Sequence, residues 1–376
     1  MKTIKVVAAV ICDNMKEKNK IFEDLFVLEL ANNHWGSLER GIKIIEDFAK
    51  IIRFNNIRAS IKLQFRDVDS FIHKDFRTRD DIRYIKKTMA TKMDTKNYQI
   101  LVDTIRSNNC ITMATPFDEV SVDNCVKLGV AIIKIASSDI NDWILIEKIA
   151  STRKPVIVST GGSSLKDIDD IVSFFEHREI PLAINHCVSV YPTPKNELEL
   201  NQIDFLKERY PGHIIGFSSH EANDNIEAAI MMAYAKGART FEHHIDIDAD
   251  GIAVSPYCFL PEDLDRWIKG FKCAQKICGH SADSKIQPMR KETTYLDALV
   301  RGGYARWDLP KGHKLTEDDV YLAIPLQKGQ ISCRELMKGE VLLNDIKKDM
   351  PIKIDDIDSP YAKNNDLKQM IYERGL

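Results

Sequence analysis

The sequence predicts an α/β protein: a (β/α)8 TIM barrel followed by a small, β-rich C-terminal domain. Three observations carry this expectation. Short, β-branched apolar runs alternate with amphipathic helical patterns, as a parallel sheet with crossover helices requires. Eight such runs precede residue 277, the number that closes a barrel. Beyond residue 293 the pattern changes to short apolar runs separated by glycine turns.

The eight runs span residues 26–32, 59–65, 111–117, 132–137, 155–160, 182–187, 214–219 and 239–245. Helical patterns fill the gaps. Ser37 is placed to cap a helix whose apolar positions Ile42, Ile45, Phe48 and Ile52 keep a three-to-four spacing. Ser164 and Asp167 form a capping-box pattern ahead of Ile168, Ile171, Val172 and Phe175. The stretch 223–236 is rich in Ala and Met, and Gly237 stands where that helix stops. A last helix begins near Glu262. The stretch 65–109 is longer than one crossover needs. It predicts an extra loop over the barrel mouth, whose Arg77, Arg79, Lys86 and Lys87 suit either an anionic substrate or a solvated helical face. The domain reading is 1–277 for the catalytic barrel, 278–293 for a polar linker, 294–352 for the small domain and 353–376 for a charged tail with a helical pattern at 367–372.

Composition narrows the function. The chain has 376 residues, 44% hydrophobic and 29% charged, with a net charge of -3. That balance, without a basic stripe carrying aromatics, gives no nucleic-acid footprint. No apolar run is long enough to span a bilayer. The apolar stretch at residues 6–11 is too short for a signal-peptide core and is followed by a charged stretch, so it reads as a strand and the protein as cytoplasmic. The eight cysteines are scattered without a C-x-x-C pair, which fits reduced thiols.

In a parallel barrel the chemistry gathers at the C-terminal strand ends, and here those ends are polar. Glu29, Lys62, Lys134, Glu242 and His244 all fall near the same end. Charged groups inside strands are costly unless paired or used. Five together favour a polar pocket, although Lys62 and Glu29 alone could be an internal ion pair. Two lysines with several hydroxyls and the run Ser159-Thr160-Gly161-Gly162 suit a cradle for an oxyanion or phosphate. His220 and His244 end neighbouring strands and could converge on a divalent metal such as Mn²⁺, Fe²⁺ or Zn²⁺. His186, His213, His280 and His313 read as hydrogen-bonded structural histidines.

Taken in order, these strand ends resemble the sialic acid synthases and related nonulosonic acid synthases. Glu29-Leu30-Ala31-Asn32-Asn33-His34-Trp35-Gly36 resembles that family's Glu-Ile-Gly-x-Asn-His-x-Gly. Lys62-Leu63-Gln64 resembles its Lys-Phe-Gln. Thr115-Pro116-Phe117-Asp118, Lys134-Ile135-Ala136-Ser137, Ser159-Thr160-Gly161, the stretch 186–194, Gly216-Phe217-Ser218-Ser219-His220 and Glu242-His243-His244 match as well. Residues 294–352 resemble the family's C-terminal antifreeze-like (SAF) domain through Arg301-Gly302-Gly303-Tyr304-Ala305, Lys311-Gly312-His313-Lys314-Leu315 and Gly329-Gln330-Ile331.

The resemblance implies a metal-dependent condensation of phosphoenolpyruvate with an aldose, giving a 2-keto-3-deoxy acid and phosphate. It implies Mn²⁺ or Mg²⁺ on His220 and His244, and Glu29 as the carboxylate that moves a proton or orients the sugar. The implied substrate contacts are Asn33, His34, Lys62, Gln64, Thr115, Lys134, Ser137, Ser159, Gly161, Ser189 and Tyr191. Arg301 would reach a partner's sugar in a domain-swapped homodimer. The chain departs from the family where Ser219 replaces an Asp, His243 a Lys and Ser189 an Asn, and where the loop 246–257 leaves Asp250 as the possible equivalent of the family's Asp. These changes surround the acceptor more than the donor. Two other readings stand beside the synthase: a barrel aldolase or lyase using Lys62 or Lys134 as a Schiff base, and a sugar-binding protein without activity.

Overall fold

A computed structural model describes residues 17–279, 284–335 and 339–376. The strand expected within residues 2–12, together with Cys12, His280 and part of the 278–293 stretch, lies outside the described residues. The chain forms two compact units, Met1–Gly279 and His280–Leu376.

The first unit is a closed barrel. Its parallel strands are β1 (Leu25–Ala31), β2 (Ala59–Phe65), β3 (Ile111–Pro116), β4 (Ile132–Ile135), β5 (Val156–Ser159), β6 (Leu182–Cys187), β7 (Ile214–Ser218) and β8 (Thr240–Ile245). They pair in chain order, and β1 returns to pair with β8. A two-residue strand, β9 (Cys258–Phe259), adds on beside β8. The helices are α1 (Leu38–Asn55), α2 (Arg83–Ala90), α3 (Thr95–Ser107), α4 (Glu119–Lys127), α5 (Trp143–Ser151), α6 (Leu165–His177), α7 (Asn201–Arg209), α8 (Ile226–Lys236) and α9 (Pro261–Cys278).

The predicted punctuation operates as read. Ser37 accepts a hydrogen bond from the Arg40 amide at 3.1 Å, Ser164 and Asp167 make a reciprocal capping box, and Gly237 ends α8 with φ 106°. Strand β4 ends two residues earlier than expected. Residues 137–139 turn into a single helical turn there, which releases the Ser137 hydroxyl toward β5. The long second crossover holds a short turn at Val68–Phe71 and the helix α2 before α3 closes the unit.

Alternation along each strand separates two cores. Outward residues such as Phe26, Leu28, Ile61 and Phe241 pack against the helices, where Trp267 and Phe271 of α9 meet Phe26 edge-on. Inward residues Leu25, Val27, Met113, Ile132, Ile157 and Ala183 form a separate plug with Phe22 at the barrel floor. Burying each large apolar side chain contributes about 1.5–3 kcal/mol. Two positions beyond that plug, the same inward faces carry Glu29, Thr115, Lys134, Ser159 and Asn185. The interior therefore turns from apolar to polar toward the strands' C-terminal ends.

The second unit begins with α10 (Arg290–Asp297). It pairs β10 (Gly302–Ala305) with β11 (Val320–Ala323) and β12 (Val341–Leu342) with β13 (Ile357–Asp358), both antiparallel, and ends in α11 (Asn365–Tyr372). Leu309, Leu315, Ile331 and Ile352 share one core with Ile354, Ile357 and Ile371. Residues beyond 352 thus supply apolar side chains to this unit as well as charge. Asp319 fastens its first turn: it accepts hydrogen bonds from the Thr316 amide at 2.7 Å, the Thr316 hydroxyl at 2.8 Å and the Trp307 indole at 3.0 Å, and lies 2.8 Å from His313 Nε2.

Candidate active site

Four buried charges meet at the polar end of the barrel. Glu242 of β8 accepts from Lys62 Nζ at 2.8 Å and from Lys134 Nζ at 2.6 Å, one lysine on each carboxylate oxygen. Lys62 also pairs with Glu29, and Gln64 donates to the same Glu29 carboxylate at 3.3 Å. Asn185 reaches Glu242 at 3.4 Å. The ion-pair reading of Lys62 and Glu29 and the pocket reading therefore describe one network.

Burial and pairing compete for each charge. Burial opposes the Glu242 carboxylate, but Lys134 and Lys62 outweigh it and hold the group well below the usual carboxylate range. Burial likewise opposes the Lys62 charge, and Glu242 with Glu29 overcomes it, raising the ammonium above its usual value. Glu29 goes the other way. Its burial exceeds the help from Lys62, and its carboxyl is raised. Lys134, with Glu242 as its one carboxylate partner among the described residues, is lowered by burial.

Beside this network lies a set of polar groups without partners. The hydroxyls of Thr115 and Ser159 are buried and find no hydrogen-bond partner among the described residues. Ser137 Oγ accepts from the Gly161 amide at 3.0 Å. A Cβ on Gly161 would lie 2.2 Å from Ser189 Oγ and 2.9 Å from Ser137 Oγ, so this position requires glycine for the backbone to approach both hydroxyls. Buried donors left open beside two ammonium groups form the environment an oxyanion needs.

His220 and His244 face each other with ring centroids 5.4 Å apart. Tyr191 packs on His220 at 4.1 Å, and Tyr257 packs on both Tyr191 at 5.3 Å and His244 at 5.4 Å. His220 Nδ1 donates to the Val188 carbonyl at 3.2 Å, which leaves the Nε2 lone pair free. Burial lowers His220 to about 4 and drives His244 well below its ordinary value, so both rings are neutral at pH 7. Neutral imidazoles, one oriented by a carbonyl behind it, are what a divalent cation requires. No group of three or more His, Cys, Asp or Glu suited to a metal occurs among the described residues. The pair would thus leave the remaining coordination positions to water or substrate.

Two of the other expected contacts, Asn33 and His34, are engaged by neighbouring groups of the barrel. Asn33 donates to the Ile245 carbonyl at 2.8 Å. His34 is buried against Tyr98, accepts from the Gly36 amide at 3.0 Å and is lowered to about 4 by burial. Arg301 is exposed in the second unit. Two of the departures from the family pattern, His243 and the loop after β8, have local explanations. His243 stacks on Phe259 at 3.5 Å with its rings nearly parallel, so it packs in the outer layer of β8. The loop after β8 is tied down by Arg40, whose guanidinium meets Asp246 at 2.7 Å, Asp250 at 3.1 Å and the carbonyls of Ile247 and Ala249.

Sequence reasoning missed Arg40, Tyr257 and Glu221. Arg40 had a readable signal, since it lies one turn ahead of Ile44 on the buried face of α1. Tyr257 had none, because its loop has no periodicity. Glu221 directly follows His220. It is buried, neither carboxylate oxygen has a partner among the described residues, and burial pushes its carboxyl up to about 7.

A model of the NeuB family matches residues 55–283. A putative spore coat polysaccharide biosynthesis protein E from Chromobacterium violaceum has a solved structure that is 36% identical, with a TM-score of 0.84, covering 90% of this chain and 100% of the other. The N,N'-diacetyllegionaminic acid synthase of Campylobacter jejuni is 25% identical over 337 residues, 88% of this chain and 98% of that protein. The structure of an N-acetylneuraminic acid synthetase from Leptospira borgpetersenii is 27% identical, with a TM-score of 0.63, covering 72% of this chain and 90% of that one.

Proposed function

Because the chain belongs to the NeuB family, we propose that it is a synthase joining phosphoenolpyruvate to the aldehyde carbon of an aldose, with release of phosphate and formation of a nonulosonic, sialic-acid-like 2-keto-3-deoxy acid. The observation that carries this is the open cradle at the ion network: Lys62 and Lys134 are both paired with Glu242, and the inward hydroxyls of Thr115 on β3 and Ser159 on β5 have no partner among the described residues.

Phosphoenolpyruvate would lie with its anionic groups on Lys62, Lys134, Thr115, Ser137, Ser159 and the Gly161 amide. His220 and His244 would hold a Mn²⁺ or Mg²⁺ ion, which when bound supplies Lewis acidity to the acceptor carbonyl. Carbon 3 of phosphoenolpyruvate forms the new bond to the aldehyde carbon. Water adds at carbon 2, the bond from that carbon to the phosphate oxygen breaks, and phosphate leaves as carbon 2 becomes a ketone. The water's protons end on the new hydroxyl and on phosphate. Glu29 is the group at the mouth suited to take and return a proton, because its burial raises it toward neutrality while Lys62 and Gln64 fix its orientation. Tyr191 and Tyr257 pack against the rings of the histidine pair.

Incubation of the protein with phosphoenolpyruvate, Mn²⁺ and a panel of aldoses, read as phosphate release, tests the proposal. Release that depends on both the aldose and the cation is the expected result. A Schiff-base lyase would instead be trapped by borohydride with pyruvate and would survive chelation.

A further inference from the structure

A cavity on the flank of the barrel, between α3, α4 and the residues that follow β2, is lined by Arg66, Ser121 and Asn124, each with polar atoms that find no partner among the described residues. We infer that it is a binding site for a small organic acid, held by its carboxylate on Arg66 and separate from the catalytic cluster.

The cavity has a volume of about 190 Å³, the liquid volume of roughly six waters. Ser121, Asn124 and Leu128 form one wall, because their three- and four-residue spacing puts them on a single stripe of α4 and its end. Tyr98 of α3 and Arg66 line it as well. One carboxylate fixes two of these sides against each other. Asp118 accepts from the Asp67 amide at 2.8 Å and from the Ser121 amide at 2.7 Å, so the chain leaving β2 and the first turn of α4 are tied to the same group. The catalytic groups lie on the inward faces of the strands. Phe65, which also lines the cavity, is an outward residue packed in the helix-side core and in contact with Tyr98.

What the walls leave unpaired decides the ligand. Their carboxylates are engaged: Asp94 caps α3 on the Asn97 amide at 2.8 Å, and Asp67 accepts from the Ser70 hydroxyl at 2.5 Å. Lys92 is paired with Asp69 at 2.8 Å, and the Tyr98 hydroxyl donates to the Gln64 carbonyl at 3.0 Å. Arg66 has donors to spare. Its guanidinium is held 3.6 Å over the Phe117 ring, donates through Nη1 to Gln64 Oε1 at 3.0 Å and makes no ion pair among the described residues. Its Nε and Nη2 stay open, and two parallel N–H groups match the two oxygens of a carboxylate. The Ser121 hydroxyl is fully buried and unpartnered, a condition that buried polar groups rarely keep. Leu128, Met93 and the Tyr98 ring give the body of the acid an apolar surface.

Isothermal titration of the full chain with 4-hydroxybenzoate and with its neutral analogue 4-hydroxybenzamide tests the site. A Kd of about 1 mM or tighter is expected for the acid, and one at least about tenfold weaker for the amide. Arg66→Gln should weaken the acid at least about tenfold and leave the amide unchanged. Asn124→Phe projects a ring from a half-buried position into the cavity and should abolish binding of both, with the circular dichroism spectrum unchanged. Ser159→Ala, in the catalytic cluster, should leave binding of the acid as it is. No binding of the acid up to about 10 mM, equal affinity for acid and amide, or binding untouched by Arg66→Gln overturns the inference and leaves the cavity to ordered water. A tenfold loss in Ser159→Ala overturns it too, since the acid would then occupy the catalytic cluster. None of these readouts uses turnover, so they hold whether or not the chain proves to be a synthase.

Discussion

Replacing Glu242 with Gln removes the one carboxylate that Lys134 has among the described residues and one of two that Lys62 has. The new amide can still donate and accept, but it no longer offsets two buried ammonium groups. Lys62 keeps Glu29, whereas Lys134 is left as an uncompensated buried charge. Its way out is to shed the proton. From an ordinary value of 10.5, doing so at pH 7 costs about 5 kcal/mol at most. Breaking one side of a buried ion pair typically costs about 3–5 kcal/mol, so a loss of roughly 3–5 kcal/mol in unfolding free energy is expected. Urea denaturation of the full chain, comparing midpoints at constant slope, measures it. The anionic donor should partly replace the missing carboxylate. Saturating phosphoenolpyruvate is therefore expected to stabilise Glu242→Gln more than it stabilises the parent. A loss under about 1 kcal/mol, or equal stabilisation of both proteins by the donor, would refute the reasoning that Glu242 is what keeps Lys134 charged.

Three other outcomes follow from the structure. Gly161→Ala drives a methyl group into the Ser189 and Ser137 hydroxyls, so steady-state kinetics should show the phosphoenolpyruvate KM raised at least about tenfold, roughly 1.4 kcal/mol of binding, with the fold intact by circular dichroism. Arg40→Met strands Asp246 in a buried site and should destabilise the protein by roughly 3 kcal/mol; the double variant with Asp246→Asn should lose less than the sum of the two single changes, which a double-mutant cycle reads. Asp319, held near 2 against burial by His313 and Thr316, has a folded value below its unfolded one. Its contribution of about 2 kcal/mol is complete above pH 4 and is lost as pH falls toward 2; Asp319→Asn should flatten the pH dependence of Tm across that window.

Most of the barrel was legible because one pattern ran through all of it. Alternation along the strands separates Val27 from Leu28 and Ile132 from Ile133, and the same alternation carries Glu29, Lys134 and Ser159 to the mouth. Helix ends were legible where a single side chain decides them, as at Ser37 and Ser164. Partnership was not legible. Which lysine meets which glutamate depends on contacts 108 and 180 residues apart in the chain, and no local spacing encodes them. The same holds for Arg40 and Asp246, 206 residues apart. Among the basic residues of the 65–109 stretch, charge alone could not separate Arg79, paired with Asp81, from Lys87, which makes no ion pair among the described residues. Glu221 was overlooked because its neighbour His220 drew the reading and because the polar run Ser218-Ser219-His220 before it gives no local sign that its carboxylate is buried.

Condensation of phosphoenolpyruvate with an aldose, as proposed, proceeds through attack of water on carbon 2. Phosphoenolpyruvate labelled with heavy oxygen at the position bridging carbon 2 and phosphorus, incubated with the protein, Mn²⁺ and an accepted aldose, tests it most directly by mass spectrometry of both products. All of the label is expected in inorganic phosphate, together with a sugar acid heavier than the aldose by one pyruvic acid unit. Label retained in the sugar acid, or pyruvate released without a carbon–carbon bond to the aldose, would contradict it.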